Sequence, residues 1–215
     1  PIFFRRSCML RFKLGRLEVG IDFFFVALVT FFLLTDSSGI SVIALLACLI
    51  HETGHLIVFL LAGYVPQSLT FELGGIRLQK PEQELSPWRE VLVQLAGSAA
   101  NFSVFFLLIG SIGQISGWSI FAVTHLVLGI FNLLPLRGLD GGKLAALFFG
   151  RFFPERTAYL ICSVLDLACL VLLSAAGVFL FFRNPRSVTL LTFAAGSLFA
   201  LAAKVAGKKN FSGRI

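Results

Sequence analysis

A pair of histidines four residues apart defines the chemistry that this sequence could perform. His51 and His55 enclose Glu-Thr-Gly in the sequence HETGH. Residues with this spacing lie on one face of a helix, so the two imidazoles can take two of the four positions around a zinc ion. Glu52, between them, can act as a base toward a metal-bound water. The pattern predicts metal-assisted hydrolysis.

The setting of HETGH strengthens that prediction. Apolar residues surround it, from Ile40 to Ile50 on one side and from Leu56 to Leu61 on the other. Ionisable groups are costly at membrane depth, and three buried polar groups need partners. The alternative, a pair of structural histidines, leaves Glu52 unexplained. A bound metal accounts for all three residues at once.

Two histidines and a water leave one protein ligand to be found. The candidates in the sequence are Asp22, His125, Asp140 and Asp166. Asp140 fits best, because proline and glycine interrupt the helix before and after it and let the backbone fold back. The interrupting residues are Pro135, Gly138, Gly141 and Gly142. We expect Asp166 to pair with another polar group, and His125 to lie nearer the outer end of its helix.

Composition indicates an integral membrane protein. Of 215 residues, 57% are hydrophobic and 13% are charged, and the mean hydropathy is +0.92. A soluble domain is about half apolar and about a quarter charged. The net charge of +7 could suggest nucleic acid, but the basic residues lie between apolar blocks, where they indicate topology. We therefore expect a lipid bilayer as a partner and no nucleic acid.

Six apolar blocks predict the fold class: an all-α polytopic membrane protein, folded as a single domain over residues 1–215. Each block is near the length of roughly 17–25 residues that a spanning helix needs. The blocks are 19–35, 40–63, 91–112, 118–136, 157–182 and 187–206. The basic N-terminus before the first block resembles a signal, but no small-residue cleavage site follows, so an uncleaved first span is expected.

The basic residues predict the orientation of these six helices. All Lys and Arg residues except Arg183 and Arg186 fall in the N-terminal segment, in Tyr64–Glu90, in Arg137–Arg156 or in the C-terminal tail, counted from Lys204 at the end of the sixth block. Six spans place these four segments on one side of the membrane. By the positive-inside rule, both termini and the entrance to the active site are then cytoplasmic.

A small β-hairpin is predicted at 68–80, between the second and third helices. Apolar and polar residues alternate on both sides of Gly74-Gly75, which favours a two-residue turn. The predicted pairs are Leu73 with Ile76, Glu72 with Arg77, and Phe71 with Leu78. The open edge of such a hairpin, with Gly74 and Gly75 at its turn, could capture an extended substrate peptide. The alternative is an ordinary connecting hairpin.

Three motifs in order resemble one known family. HETGH lies in the second block, Leu95–Phe102 in the third, and Asn132–Pro135 with Leu139–Gly142 at the end of the fourth. Together they resemble the site-2 protease family of intramembrane zinc metalloproteases, peptidase family M50, over about residues 40 to 145. The layout is most similar to the bacterial branch containing the stage IV sporulation protein FB. The family often has Gly-Pro where this chain has Gly97-Ser98, and no PDZ or CBS domain is expected.

The resemblance assigns roles to individual residues. It implies Asp140 as the third ligand of one zinc ion per chain, and Glu52 as the general base. It also implies that Asn132 holds substrate or stabilises the oxyanion. Asn101, in the small-residue third helix, either takes part in the site or makes a helix–helix hydrogen bond.

The function expected from the resemblance is hydrolysis of peptide bonds in or near transmembrane segments of membrane-anchored substrates, as in regulated intramembrane proteolysis. A bacterial plasma membrane location and a regulatory membrane partner are further expectations. A prenyl-protein endopeptidase would need a Glu as third ligand, and Glu155 is predicted in a loop. A non-proteolytic metal-binding scaffold or transporter is the other alternative, although it has no need of a base at Glu52.

Overall fold

The computed structural model describes residues 9–14, 17–64, 68–72, 75–79, 86–112 and 116–183. They form four β-strands and six α-helices. The chain divides into two compact units, Pro1–Leu133 and Leu134–Ile215. The fold is mostly helical, as predicted.

The strands form one sheet in the first unit. They are β1 (Met9–Leu14), β2 (Leu17–Asp22), β3 (Ser68–Glu72) and β4 (Gly75–Gln79), in the order β1-β2-β3-β4. The predicted hairpin is confirmed as β3 and β4, but the all-α fold class is wrong in one respect. The N-terminal segment adds two further strands, and the first four residues of block 19–35 form the end of β2.

The register of the hairpin differs by two residues from the prediction. The Cα partners are Ser68 and Gln79, Leu69 and Leu78, Thr70 and Arg77, Phe71 and Ile76, and Glu72 and Gly75. Gly75 therefore belongs to β4 and not to the turn, and Gly74 lies outside the described residues. The apolar pattern could not separate the two registers, because a shift of two still pairs Phe71 with an apolar residue.

Two helices connect β2 to β3, and these two strands are parallel. α1 (Phe23–Thr35) begins at Asp22, whose Oδ1 accepts a hydrogen bond of 3.2 Å from the Phe24 N–H. Asp22, a candidate ligand from sequence, is thus the N-cap of α1. α2 (Ile40–Leu61) returns toward β3. The start of α1 and the end of α2 lead into one sheet, so both lie on the same side of this helical pair.

Asp36 organises the turn between α1 and α2. Its carboxylate accepts hydrogen bonds from the Ser38 hydroxyl, the Ser38 N–H (2.8 Å) and the Ser41 N–H (2.6 Å). These bonds hold the pKa of Asp36 well below its ordinary range, and the bond from the Ser38 hydroxyl lowers it most. The ionised carboxylate supplies acceptors to the first turn of α2, whose backbone N–H groups have no partner within the helix.

α3 (Pro87–Leu108) packs against α2 and against α4 (Ser116–Asn132), with a short 3₁₀ turn at Ile109–Ser111 after it. Small residues let α2 and α3 approach closely. A Cβ added at Gly54 would lie 2.6 Å from the Ala96 carbonyl oxygen and 2.8 Å from the Ala100 Cβ. This contact brings the HETGH face of α2 onto the small-residue face of α3.

The second unit contains α5 (Asp140–Phe152) and α6 (Glu155–Arg183), which pack against each other. α5 was not predicted, because Arg137–Arg156 was interpreted as a connecting segment. Glu155, predicted in a loop, is the first residue of α6 and is exposed.

Three helices are long and apolar enough to cross a membrane: Ile40–Leu61, Pro87–Leu108 and Glu155–Phe179. They correspond to the predicted blocks 40–63, 91–112 and 157–182. The helices in blocks 19–35 and 118–136 are shorter, at Phe23–Thr35 and Gly117–Asn132. The sixth block, 187–206, lies outside the described residues. The chain is an integral membrane protein with three clear spans in the part that the structure describes.

Candidate metal centre

The two histidines of HETGH face each other on α2. Both are buried, and their Nε2 atoms are 3.1 Å apart. Two nitrogen ligands of one tetrahedral zinc ion, with bonds of about 2.0–2.1 Å, are separated by about 3.3 Å. The pair is therefore spaced to share one cation.

α3 orients both rings through their other nitrogen. The His55 Nδ1–H donates to the Val93 carbonyl oxygen at 2.6 Å, and the His51 Nδ1 lies 3.2 Å from the Asn101 Nδ2. A carbonyl oxygen only accepts, so His55 carries its proton on Nδ1 and presents a lone pair at Nε2. Such outer hydrogen bonds are how proteins orient metal-binding histidines.

Gly97 leaves the space beside these two Nε2 atoms open. A Cβ added at Gly97 would contact His55 Nε2 and would lie 2.6 Å from both Nε2 and Cε1 of His51. Any larger residue would place a methyl group against the atoms that would bind a cation. In the sequence, Gly97 is recognisable only as part of a motif. The two imidazole nitrogens are suitable zinc ligands, and the open space beside Gly97 leaves room for the ion.

Glu52 is partly buried, next to His51 on α2. In sequence it lies between the two histidines, and it is not part of the facing Nε2 pair. The arrangement supplies two nitrogen ligands and a neighbouring base within one turn of helix.

Asn101 and His125 extend the centre away from α2. Asn101 Oδ1 lies 2.9 Å from His125 Nδ1, and both residues are fully buried. His125, a candidate ligand from sequence, thus faces Asn101 on α3. Asn101 therefore makes the helix–helix hydrogen bond, from α3 to α4, and its Nδ2 also lies 3.2 Å from His51 Nδ1. Its role toward substrate stays a prediction.

Asn132 is the last residue of α4 and is half-buried. Its Nδ2 donates to the Leu128 carbonyl oxygen at 3.1 Å, one turn back in the same helix. Its predicted role toward substrate or oxyanion stays a prediction.

In the second unit, Asp140 is the first residue of α5 and is buried. Lys143 Nζ lies 3.0 Å from its Oδ1, and the Lys143 side chain is about half exposed. As predicted, the segment around Pro135 is not helical: α4 ends at Asn132 and α5 begins at Asp140. Gly138 has φ +109°, a conformation that favours glycine.

Asp166 fixes the turn that precedes Asp140. Its Oδ1 accepts from the Arg137 N–H at 2.9 Å, and its Oδ2 lies 3.6 Å from Arg137 Nε. The Arg137 guanidinium also lies over the Tyr159 ring, 4.7 Å from its centre. The expectation that Asp166 pairs with a polar group is confirmed, and that pairing accounts for its burial.

Replacing Asp166 with Leu is expected to destabilise the protein by about 1–3 kcal/mol, because the Arg137 N–H and guanidinium lose their acceptor. Thermal unfolding in detergent measures this. Ser174→Ala on the same helix is the matched control, since its hydroxyl bonds only the Leu170 carbonyl among the interactions seen here. Equal stability of the two variants would show that the Asp166 pairing does not hold the turn.

Residues 108–173, which contain Asn132 and Asp140, match the model of peptidase family M50. The chain is 33% identical over 101 residues to the "Putative zinc metalloprotease sll0528" of Synechocystis sp.. That similarity covers 43% of this chain and 26% of the relative, so the chain spans about a quarter of the relative's length.

Among solved structures, the fold is similar to that of the site-2 protease from Methanocaldococcus jannaschii. The TM-score is 0.61 at 17% sequence identity, over 87% of this chain and 92% of the other. At that identity the likeness establishes a shared fold. The chain therefore has the fold of a site-2 protease, and part of its sequence is similar to peptidase family M50.

Proposed function

We propose that this chain is an intramembrane zinc metalloprotease that hydrolyses peptide bonds in or near the transmembrane segments of membrane-anchored substrates. The observation that carries the proposal is the buried His51–His55 pair, with Nε2 atoms 3.1 Å apart, on a helix able to cross a membrane. Glu52 lies between them. A metal-binding histidine pair and a base at that depth serve a reaction whose substrate bond is also within the membrane.

His51, His55 and Asp140 are the proposed ligands of one zinc ion per chain. Each is buried and offers one ligand atom. Two imidazoles and one carboxylate are a common set for catalytic zinc, which keeps a fourth position open. Of the buried carboxylates in the described residues, Asp166 already binds Arg137 through both oxygens. That leaves Asp140 as the better donor, in agreement with the family resemblance.

Glu52 is the proposed general base. It takes a proton from the water that attacks the peptide carbonyl, and then passes that proton to the leaving amine. When bound, zinc would act as a Lewis acid toward the peptide carbonyl. Asn132 donates one amide hydrogen to Leu128, and the second hydrogen on its Nδ2 is proposed to stabilise the oxyanion.

A helical substrate must unwind before cleavage, because helix carbonyl groups are already hydrogen-bonded. β4 ends the sheet order, and among the described strands it pairs only with β3. Its outer edge is the proposed place for an unwound peptide to add as a strand, at the segment that begins with Gly75. The charge distribution supports a cytoplasmic entrance.

We also propose a specific branch of the family for this chain. The order of the motifs favours the bacterial branch containing the stage IV sporulation protein FB, and with it a location in a bacterial plasma membrane. A membrane-anchored regulator is the substrate class that this branch suggests, and a regulatory membrane partner fits the same scheme.

Asp140→Asn is expected to lower zinc affinity by roughly tenfold or more, since even outer partners of metal ligands are worth about 10–100-fold. Elemental analysis of the purified protein, with chelator competition, measures this. Glu155→Gln makes the same carboxylate-to-amide change at the exposed start of α6 and should keep zinc. Full zinc occupancy in Asp140→Asn, or equal loss in both variants, would contradict the ligand assignment.

A further inference from the structure

Four buried side chains form a continuous line of polar contacts across three helices of the first unit. His125 Nδ1 is 2.9 Å from Asn101 Oδ1, Asn101 Nδ2 is 3.2 Å from His51 Nδ1, and His51 Nε2 is 3.1 Å from His55 Nε2. The line begins on α4, crosses α3 and ends on α2. Each contact requires one donor and one acceptor, so the proton positions along it depend on one another.

The fixed end is His55, whose Nδ1–H donates to the Val93 carbonyl oxygen. Its Nε2 is therefore an acceptor, and His51 can donate to it from Nε2–H. His51 Nδ1 is then an acceptor for the Asn101 amide hydrogen. Asn101 Oδ1 in turn accepts from His125 Nδ1–H. In this first arrangement every contact is satisfied.

A cation shared by the pair requires the other arrangement. His51 must then present a lone pair at Nε2 and carry its proton on Nδ1. The Asn101 amide can accept that proton if it is turned by 180°, so that its oxygen faces His51. Its NH₂ group then faces His125 Nδ1, which must become an acceptor. The proton of His125 therefore moves to Nε2.

We propose that Asn101 and His125 are positioning residues that set which ring nitrogen of His51 carries its proton, and that binding of a cation reverses the proton pattern along His51, Asn101 and His125 together. This inference rests on the proposed metal centre. The reversal moves one proton from Nε2 to Nδ1 on His51 and one from Nδ1 to Nε2 on His125. No proton is gained or lost.

Two features of the structure support the reversal. His125 Nε2 is buried and has no hydrogen-bond partner among the described residues, so no bond there holds the ring in one tautomer. An amide donates at one end and accepts at the other, and it exchanges these roles by rotation.

The chain contains three histidines, so its imidazole nitrogens can be followed individually. The test is ¹⁵N NMR of protein labelled at histidine, reconstituted in lipid, before and after addition of zinc. When zinc is added, the proton of His51 should move from Nε2 to Nδ1 and that of His125 from Nδ1 to Nε2. The fraction of molecules that change should be the same for both residues. His55 should keep the proton on Nδ1 throughout.

Asn101→Asp gives a second, independent test. A carboxylate only accepts, so His51 and His125 should both carry the proton on Nδ1, with or without zinc. Ser103→Ala on the same helix is the matched control, because its hydroxyl bonds the Ala99 carbonyl and lies outside the line. This control should behave as the unchanged protein does.

The outcomes separate the two proposals. If zinc changes the signals of His51 and His55 while His125 stays as it was, the relay is wrong and the metal centre stands. If zinc changes neither His51 nor His55, the metal centre is wrong and the relay falls with it. A concerted change at His51 and His125 that Asn101→Asp removes supports the relay.

Discussion

Replacing Glu52 with Gln is expected to lower the rate of peptide cleavage by a factor of about 10²–10⁴ while zinc stays bound. Gln has nearly the same shape as Glu but cannot accept the proton of the attacking water. The ligands His51 and His55 are unchanged, so metal content should equal that of the unchanged protein. Cleavage of a single-span substrate and elemental analysis, on the same preparation, measure the two quantities.

Glu155→Gln is the matched control for this prediction. It makes the same change at the exposed start of α6, away from the histidine pair. This variant should cleave normally. Proteolysis retained in Glu52→Gln would remove Glu52 from the mechanism, and loss of zinc there would show that its carboxylate supports the metal and is not only a base.

Gly97→Ala is expected to have the second large effect. The added methyl group would contact His55 Nε2 and lie 2.6 Å from His51 Nε2, where a shared cation would bind. Either α3 moves away from α2 or the rings turn aside, and in both cases the two nitrogens stop converging. We expect zinc affinity to fall by roughly 10–100-fold, as when other supports of metal ligands are lost.

A chelator-competition titration measures this loss, and thermal unfolding shows whether overpacking also costs the typical amount of about 1–3 kcal/mol. Gly150→Ala is the control, since a Cβ there meets no atom within 4 Å. Normal zinc binding in Gly97→Ala would mean that the space beside Gly97 is not where the cation is held.

Local sequence patterns predicted several elements of this fold well. The long apolar runs gave α2, α3 and α6, and alternation gave the hairpin of β3 and β4. The same alternation is present in β1, where Leu10, Phe12 and Leu14 alternate with Arg11 and Lys13. It was missed because the basic residues were interpreted only as a topology signal. α5 was missed because its Gly141-Gly142 start resembles a loop.

The candidate site also combines residues that the sequence predicted with residues that it did not. HETGH is a local pattern, so its spacing predicted the facing histidines directly. The partners that orient them are not local: Val93 is 38 residues from His55, and Asn101 is 50 residues from His51. Their positions depend on how closely α2 and α3 pack, which small residues at Gly54 and Gly97 permit. No periodicity in one sequence encodes that distance.

The most direct test of the central claim measures whether cleavage of a membrane peptide depends on zinc. The Glu52→Gln protein would be used to trap membrane peptides, and those identified by mass spectrometry would be offered to the unchanged protein in lipid. We predict cleavage in or beside the transmembrane segment, stopped by a chelator and restored by zinc. Cleavage that continues without metal, or zinc binding with no cleavage of any trapped peptide, would contradict a zinc protease, and the second result would favour a metal-binding scaffold or transporter.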